Sequence, residues 1–131
     1  MVQTLWIPGP LPGLNEMLAG AKIFGRKTRK NGKRWNAYDA LKESNEKLIV
    51  SECIEQKIKP VKSARFVFVW NCPNKRRDKD NVAAGKKIIL DALKHAKVIP
   101  DDRWDIVKGW EDRFVIEPKD PGVMVEIYEE E

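Results

Sequence analysis

The chain has 131 residues, of which 42% are hydrophobic and 34% are charged, and its formal net charge is +5. This length favours one domain with a proper core, and the composition excludes a disordered chain. No apolar run approaches the roughly 20 residues of a membrane span, and the start lacks the layout of a signal peptide. We therefore expect a cytoplasmic protein without a membrane segment.

The first half of the chain predicts a strand, a basic loop and a helix. Residues 2–7 are mostly apolar and predict a strand, which the Pro- and Gly-rich residues 8–13 end. Residues 22–36 contain seven Lys or Arg and no acid, which predicts a mobile basic loop. Asn36 is a candidate cap for a helix over residues 38–57, where apolar positions recur at helical spacing.

The second half predicts one strand–helix unit and a closing pair of strands. Residues 65–72 are β-branched and aromatic, which is typical of a strand buried on both faces. Further strands are predicted over residues 106–117 and 123–128. The order βαβαββ predicts a single α+β domain, residues 1–131, with helices packed on a mixed sheet. Residues 82–96 predict one helix, whose polar face carries Lys87, Asp91, Lys94 and His95.

Charge and cysteine usage limit the classes of partner and site. Removing the four glutamates of an expected acidic tail, residues 126–131, raises the formal charge from +5 to +9. A positive body of this kind indicates a polyanionic partner, most often nucleic acid. Cys53 and Cys72 lack paired spacing, which predicts buried thiols in a reducing cytoplasm rather than a disulfide or a zinc site.

Two aspartates, Asp78 and Asp80, stand inside a basic run immediately before the predicted helix. Carboxylates there accept backbone N–H groups, so a helix cap accounts for Asp80 or Asn81 but leaves Asp78 unexplained. In extended backbone, side chains two residues apart share a face, so both carboxylates can reach one ion. Magnesium often takes one or two protein carboxylates, with a substrate phosphate completing its shell. A cap and a metal site are both open at this point.

A second acidic pair, Asp101 and Asp102, follows the same helix. A helix over residues 82–96 is about 22 Å long, and extended chain over residues 97–102 covers about 20 Å. The second pair can therefore just return to the first. This arithmetic favours a divided metal site, with two carboxylates at each end of the helix.

Basic residues around the aspartates indicate phosphate binding, since a pure cap needs no cluster of cations. Lys87 lies about two turns beyond Asp80 and is a candidate to offset charge on a phosphate. An ordinary solvated lysine is the alternative interpretation, and Lys86 is the weaker candidate. The predicted contacts to DNA phosphates are Arg26, Lys27, Arg29, Lys30, Lys33, Arg34, Lys75, Arg76, Arg77 and Lys79.

The aspartate motifs, in their order and spacing, resemble those of the RusA-type Holliday-junction resolvase family. RDKDN (residues 77–81) is followed by LDAL (90–93) and by VIPDD (98–102). The family pattern is a basic residue with Asp-x-Asp-Asn, a lysine-bearing helix ending in Asp-Ala-Leu, and an Asp-Asp pair. The resemblance implies a homodimeric, Mg²⁺-dependent endonuclease that nicks four-way DNA junctions symmetrically and needs no small-molecule cofactor. Whether Mn²⁺ can replace Mg²⁺ is open.

Site residues carry over from that family position by position. The metal-binding aspartates fall on Asp78, Asp80 and Asp102, with Asp101 either a further ligand or a neighbour that orients a ligand. The catalytic lysine falls on Lys87 when the alignment is anchored on Asp-Ala-Leu. The segment between the first motif and Asp-Ala-Leu is about three residues longer here than in the family form we compare, which keeps Lys86 open and suggests a phage-type branch.

Two other function classes compete with a nuclease. A non-catalytic nucleic-acid-binding module explains the basic loop equally well, but it does not explain four aspartates placed where phosphates would bind. His95 is the single histidine, and we interpret it as a surface residue rather than a catalytic base. A protein-interaction adaptor is the third reading, although most of its candidate contact residues are better read as core or strand residues: Trp6, Trp35, Trp70, Trp104 and Trp110.

Overall fold

The computed structural model describes residues 1–13, 15, 28–30, 33–35 and 37–130, and it describes side chains for these residues except 28–38. Asn36, the candidate helix cap, lies outside the described residues. In chain order, the elements are β1 (Val2–Pro8), β2 (Thr28–Lys30), β3 (Lys33–Trp35), α1 (Ala37–Glu55), β4 (Ala64–Cys72), α2 (Lys79–Ala83), α3 (Lys86–His95), β5 (Val107–Ile116) and β6 (Gly122–Glu129).

One mixed sheet carries the fold, with strand order β1-β6-β4-β5. Strand β6 pairs antiparallel with both β1 and β4, whereas β4 and β5 are parallel. The predicted α+β class is confirmed, and the main elements follow the predicted order βαβαββ. The expected irregular basic loop is partly wrong, because β2 and β3 pair there as a separate antiparallel ribbon.

Strand β4 lies between β6 and β5, and its burial explains its apolar sequence. Only Arg65 among its nine residues is exposed, so the predicted burial of both faces is confirmed. The rings of Phe66, Phe68 and Trp70 alternate along the strand and stack with centroids 5.9 Å apart. These rings belong to one core cluster with Ile89 and other residues of α3.

The single helix predicted over residues 82–96 is divided into α2 and α3. Around Gly85 the backbone changes to tighter i→i−3 hydrogen bonds, from Gly85 N–H to the Val82 carbonyl and from Lys87 N–H to the Ala84 carbonyl. A Cβ atom at Gly85 would stand 3.4 Å from Leu11 Cβ and from Trp70 Cζ3. Close packing against two distant segments therefore accompanies the break, while the apolar face continues through it.

Helix α1 packs across α3 on the side that the sequence assigned to solvent. Asp91 was predicted on the polar face, but it is only 6% exposed. The Lys42 ammonium of α1 lies 2.9 Å from Asp91 Oδ2, and His95 Nδ1 lies 3.1 Å from Glu46 Oε2. His95 is an exposed surface residue, as predicted. The polar face of α3 is therefore partly an inter-helix contact.

A left-handed residue at the end of α3 directs the chain towards the second acidic pair. Lys97 has a φ of 60°, its N–H donates to the Lys94 carbonyl, and the Val98 N–H donates to the Leu93 carbonyl. This is the Schellman motif, with lysine at the position where glycine is usual. Val98 and the following isoleucine are buried, so the return of the chain is fixed by the core.

The last residues of the chain do not form a separate acidic tail, so that interpretation is wrong for residues 126–130. Glu126 and Glu129 lie in β6, and the Glu130 N–H donates to the Ser63 carbonyl. Cys53 and Cys72 are buried free thiols, as predicted, and burial raises the pKa of Cys53 to about 11. Among the described residues, no helix combines the length and apolarity that crossing a bilayer requires.

Candidate functional site

The first acidic pair, Asp78 and Asp80, follows the carboxyl end of β4. Asp78 occupies the N-cap position of α2 in extended backbone (φ −67°, ψ 154°), but its side chain makes no capping hydrogen bond. Asp80 lies in the first turn of α2, where it was predicted to cap. Both side chains are exposed, and neither carboxylate has a hydrogen bond or ion pair with a residue that the structure describes. Asp78 therefore makes no capping hydrogen bond, whereas Asp80 keeps the predicted favourable position at the positive end of the helix dipole.

Asn81 and Arg77 hold this segment in place instead. Asn81 is buried, and its Oδ1 accepts a hydrogen bond from the Asn15 N–H at 2.7 Å. Arg77 Nη1 donates to the Leu11 carbonyl at 3.0 Å. The cap role considered for Asn81 is therefore wrong, because its side chain binds the N-terminal segment. These two contacts position the aspartates between them.

A positively charged cavity adjoins the first pair. It has a volume of about 390 Å³, and Asp78 shares its wall with Lys75, Arg77 and Lys79. Phe114 also lines this cavity, and the Lys79 ammonium lies 5.7 Å from the centroid of its ring. Three cations beside one carboxylate make a concave surface that attracts an anion.

The second acidic pair lies among cations that already neutralise it. Asp102 Oδ2 lies 3.6 Å from the Lys87 ammonium, and Asp102 Oδ1 lies 3.8 Å from the Lys94 ammonium. Asp101 Oδ1 accepts the Asp102 N–H at 2.8 Å, and this hydrogen bond, with Lys94 and Arg103 nearby, holds the pKa of Asp101 below its ordinary value. Asp102 is thus paired with lysines in this arrangement, not with another described carboxylate.

The structure separates the two candidate lysines. Lys87 is exposed and lies between Asp91 Oδ1, at 3.2 Å, and Asp102. Its hydrogen bond to Asp91 raises its pKa, so the ammonium stays charged at neutral pH. Lys86 is turned to the sheet, where its ammonium lies 2.7 Å from Asp112 Oδ2 and 4.6 Å from the Trp110 ring centroid. Of these two lysines, only Lys87 adjoins an aspartate of the predicted site.

Strand direction places the two acidic pairs at opposite ends of a parallel pair of strands. Asp78 and Asp80 follow the end of β4, whereas Asp101 and Asp102 precede the start of β5. Helices α2 and α3 connect them along the chain. Within the residues whose side chains are described, no three His, Cys, Asp or Glu side chains come together to hold a metal ion. The chain after α3 brings Asp102 beside Lys87. That Asp102 shares one metal site with Asp78 and Asp80 stays a prediction.

The first pair has the donor chemistry that a magnesium ion needs. Two carboxylates, exposed and without a described partner, can supply one or two ligands, and water and phosphate oxygens can complete the shell. Asp102 meets this requirement less well, because a ligand role would compete with Lys87 and Lys94. The donor chemistry of Asp78 and Asp80 is therefore compatible with a bound cation.

The predicted phosphate contacts divide into described and undescribed residues. Arg26 and Lys27 lie outside the described residues, and the backbone of Arg29, Lys30, Lys33 and Arg34 forms the β2–β3 ribbon. Lys75, Arg76 and Lys79 are exposed beside the first pair. No local pattern pointed to Lys42 and Asp112, since each binds a residue from a different part of the chain. Their partners are Asp91 and Lys86.

Comparisons with known families and proteins give no match that bears on this site. A scan of protein-family models finds no match to the chain, and a search of curated proteins finds no significantly similar sequence. Membership of the RusA-type family therefore stays a prediction that rests on the aspartate motifs.

Proposed function

We propose that this protein is a Mg²⁺-dependent endonuclease that cuts branched DNA, with four-way junctions as its substrate. The observation that carries the proposal is the state of Asp78 and Asp80: two exposed carboxylates, without a hydrogen bond or ion pair to a described residue, within a basic segment. Without a cation between them and a phosphate, these carboxylates would repel the ligand that the surrounding cations attract. A bound divalent ion resolves this conflict.

The roles follow from the contacts of each side chain. Asp78 and Asp80 would hold Mg²⁺, which when bound would activate water and neutralise phosphate oxygens. In the hydrolysis, the hydroxyl of water would go to phosphorus, the bond from phosphorus to the leaving oxygen would break, and the leaving oxygen would take up the proton released from water. Lys87, with its raised pKa, offers a permanent positive charge to the phosphate as negative charge develops. Asp102 and Asp91 orient the Lys87 ammonium.

DNA binding is assigned to the cations around this centre. Lys75, Arg76 and Lys79 are exposed and contact backbone phosphates, which makes the affinity dependent on salt and largely independent of sequence. The guanidinium of Arg77 already binds the Leu11 carbonyl, so its contribution is to shape the cavity as well as to add charge. The β2–β3 ribbon supplies further phosphate contacts.

Paired cuts require two active sites, so we propose a homodimer with two-fold symmetry acting in the cytoplasm. Each copy then contributes one centre to one of two symmetric nicks. The prediction is direct: size-exclusion chromatography with light scattering gives the mass of two chains, and both nicks occur within one bound complex.

A DNA-binding module without catalysis is the second candidate function. The ion pairs of Asp102 with Lys87 and Lys94 favour it, because they occupy a carboxylate that the resemblance assigns to metal. The module binds junctions through the same cations and leaves them intact.

Incubation with a labelled four-way junction and a matched linear duplex, with and without Mg²⁺, separates the two functions. We expect Mg²⁺-dependent, junction-selective nicks from the unaltered protein. Asp80→Asn abolishes nicking and keeps junction binding in EDTA, whereas Glu55→Gln, an equal change of charge on the exposed end of α1, keeps both. Full cleavage by Asp80→Asn in Mg²⁺ would contradict the role of Asp80 as a metal ligand. Binding without cutting by the unaltered protein would favour the non-catalytic module.

A further inference from the structure

Two exposed tryptophans stand beside the second acidic pair. Trp104 is 96% exposed and Trp110 is 54% exposed, whereas Trp70 in the core is 1% exposed. Both exposed rings line a cavity of about 480 Å³, together with Leu90 and Val107 and with charged residues of α3 and β5. A cavity of this size is within the range of small-ligand sites, roughly 300–1,000 Å³. The exposure of these rings, rather than their presence, needs an explanation.

Trp104 is held outward by ordered backbone. The Ile106 and Val107 N–H groups both donate to the Arg103 carbonyl at 3.0 Å, which closes a turn around the tryptophan. Ile106 itself is buried in the core and anchors that turn. A large aromatic side chain presented by a fixed turn is typical of a binding surface, because folding alone favours its burial.

A chain of polar contacts fixes the ring of Trp110. Lys86 lies over this ring at 4.6 Å, and the same ammonium is paired with Asp112 at 2.7 Å. Asp112 also accepts a hydrogen bond from Trp70 Nε1 at 2.9 Å. The ring is thus connected to the core through two ionic side chains, and it is available without rearrangement.

The charges around the cavity select the occupant. Lys87, Arg103 and Lys108 line it with one carboxylate, Asp102, so its wall is positive and aromatic. A nucleic-acid strand matches both properties, because its phosphates take the cations and its bases stack on the rings. A base inside a duplex has both faces covered by its neighbours, so only an unpaired base can enter.

We propose that the Trp104–Trp110 cavity binds an unpaired nucleobase of the DNA strand, next to the phosphate that Lys87 contacts. Trp104 stacks on the base, and Arg103 and Lys108 bind the flanking phosphates. This inference rests on the proposed action on DNA. It adds to that proposal the feature that is recognised, which is a base opened from its pair at the branch point. Recognition is of exposed bases and not of a sequence.

The test uses 2-aminopurine, a fluorescent base that stacking quenches, as a single unpaired nucleotide built into the branch point of a four-way junction, with EDTA present to prevent cleavage. We expect quenching on binding, which Trp104→Ala abolishes and Trp104→Phe partly restores. Affinity for the unpaired DNA falls about tenfold in Trp104→Ala, while affinity for matched duplex is unchanged. Ile54→Ala is the control, since Ile54 is equally apolar and 73% exposed on α1. Because Trp104 packs against little of the protein, the variant keeps its melting temperature.

The outcomes distinguish this inference from the nuclease proposal. Trp104→Ala that binds and quenches like the unaltered protein, with cleavage intact, overturns the stacking site alone. Trp104-dependent quenching by a protein that never cuts in Mg²⁺ overturns the nuclease and supports the stacking site. A change of oligomeric state in Trp104→Ala shows that the ring belongs to a contact between copies, which overturns the inference. No binding of any DNA overturns both.

Discussion

The two acidic pairs use the same residue type in opposite electrostatic states. Asp78 and Asp80 are exposed, and their carboxylates have no hydrogen bond or ion pair with a described residue. Asp102 lies within 4 Å of two lysine ammonium groups, and Asp101 accepts a backbone hydrogen bond. The first pair has unsatisfied charge that a cation can bind, whereas the charge of the second is already balanced by the protein.

The difference shows that the two ends of one helical unit carry carboxylates in different charge environments. Helix α3 lies between the two pairs, and Lys87 connects its exposed side to Asp102. In our proposal the first pair holds the ion, and the second pair sets the direction of a cation. This contrast would be wrong if substitutions in the two acidic pairs changed the Mg²⁺ dependence of nicking equally.

The largest expected effect concerns the ligand role. Asp78→Asn lowers the rate of junction nicking at least about a hundredfold and raises the Mg²⁺ concentration needed for half-maximal rate, because it removes a ligand. Asp102→Asn lowers the rate about tenfold at an unchanged Mg²⁺ midpoint, because it only disorders Lys87. Nicking rates measured across a Mg²⁺ titration separate these results. An equal shift of the midpoint in Asp102→Asn would make it a ligand and end the contrast.

The lysines provide the second test. Lys87→Met lowers nicking by roughly a hundredfold, since it removes a charge aimed at the phosphate. It lowers the free energy of unfolding by no more than about 1 kcal/mol, because the Lys87 side chain is 63% exposed and the buried Asp91 keeps its ion pair with Lys42. Lys86→Met lowers the free energy of unfolding by about 1–3 kcal/mol, because it strands the partly buried Asp112. Junction nicking and urea denaturation of both variants give the comparison. Loss of activity without loss of stability in Lys86→Met would reverse our assignment.

Asp91 tests whether its buried ion pair with Lys42 stabilises the packing of α1 on α3. Asp91→Asn removes the buried carboxylate that pairs with Lys42 and Lys87, and it lowers the free energy of unfolding by about 1–3 kcal/mol at neutral pH. Burial alone would raise the pKa of Asp91, but hydrogen bonds from Lys42 and Lys87 hold it below 3.8. The stabilisation is therefore present above pH 3.8 and is lost as pH falls through the lowered pKa.

Urea denaturation over this pH range measures that loss. The gap in stability between the unaltered protein and Asp91→Asn narrows in acid, because the variant has no such carboxylate to protonate. Asp120→Asn, in the exposed turn before β6, is the control and stays within about 0.5 kcal/mol of the unaltered protein. A gap that is constant with pH would contradict the ion-pair account.

The smallest expected effect concerns the turn that leads to the second pair. Lys97→Gly raises the free energy of unfolding by roughly 0.5–1 kcal/mol, because glycine adopts a positive φ without the cost of a Cβ. Lys47→Gly, in the middle of α1, lowers it by about 1 kcal/mol. Thermal denaturation of the two variants gives the sign of each change. A destabilised Lys97→Gly would mean that its side chain, not its backbone, fixes the approach to Asp101.

Much of the fold follows from local pattern. The β-branched and aromatic run of β4 predicted a buried strand because such side chains fit a pleated, packed surface, and the structure places it inside the sheet. Apolar spacing predicted the face of α3 that enters the core. It did not predict the break at Gly85, where Leu11 and Trp70 pack closely. Contacts between segments so distant in sequence have no local signature.

The candidate site divides in the same way. Residue types and spacing identified Asp78, Asp80, Asp102 and Lys87, and the resemblance gave them roles. Which of the two candidate lysines adjoins an aspartate of the predicted site was open until the structure showed Lys87 beside Asp102 and Lys86 paired with Asp112 instead. The exposure of Trp104 was equally hidden, because aromatic residues near a strand are usually buried.

The sequence by itself determined the α+β class, the placement of acidic pairs within basic segments and the identity of the buried strand, because these depend on short-range periodicity and composition. Only the tertiary structure decided which carboxylates are balanced by lysines and which are exposed without a described polar partner. That outcome depends on the parallel pairing of β4 and β5 and on the packing of α1 against α3. Strand direction and helix packing bring distant charges together, and charge pairing is the property that distinguishes Asp78 from Asp102.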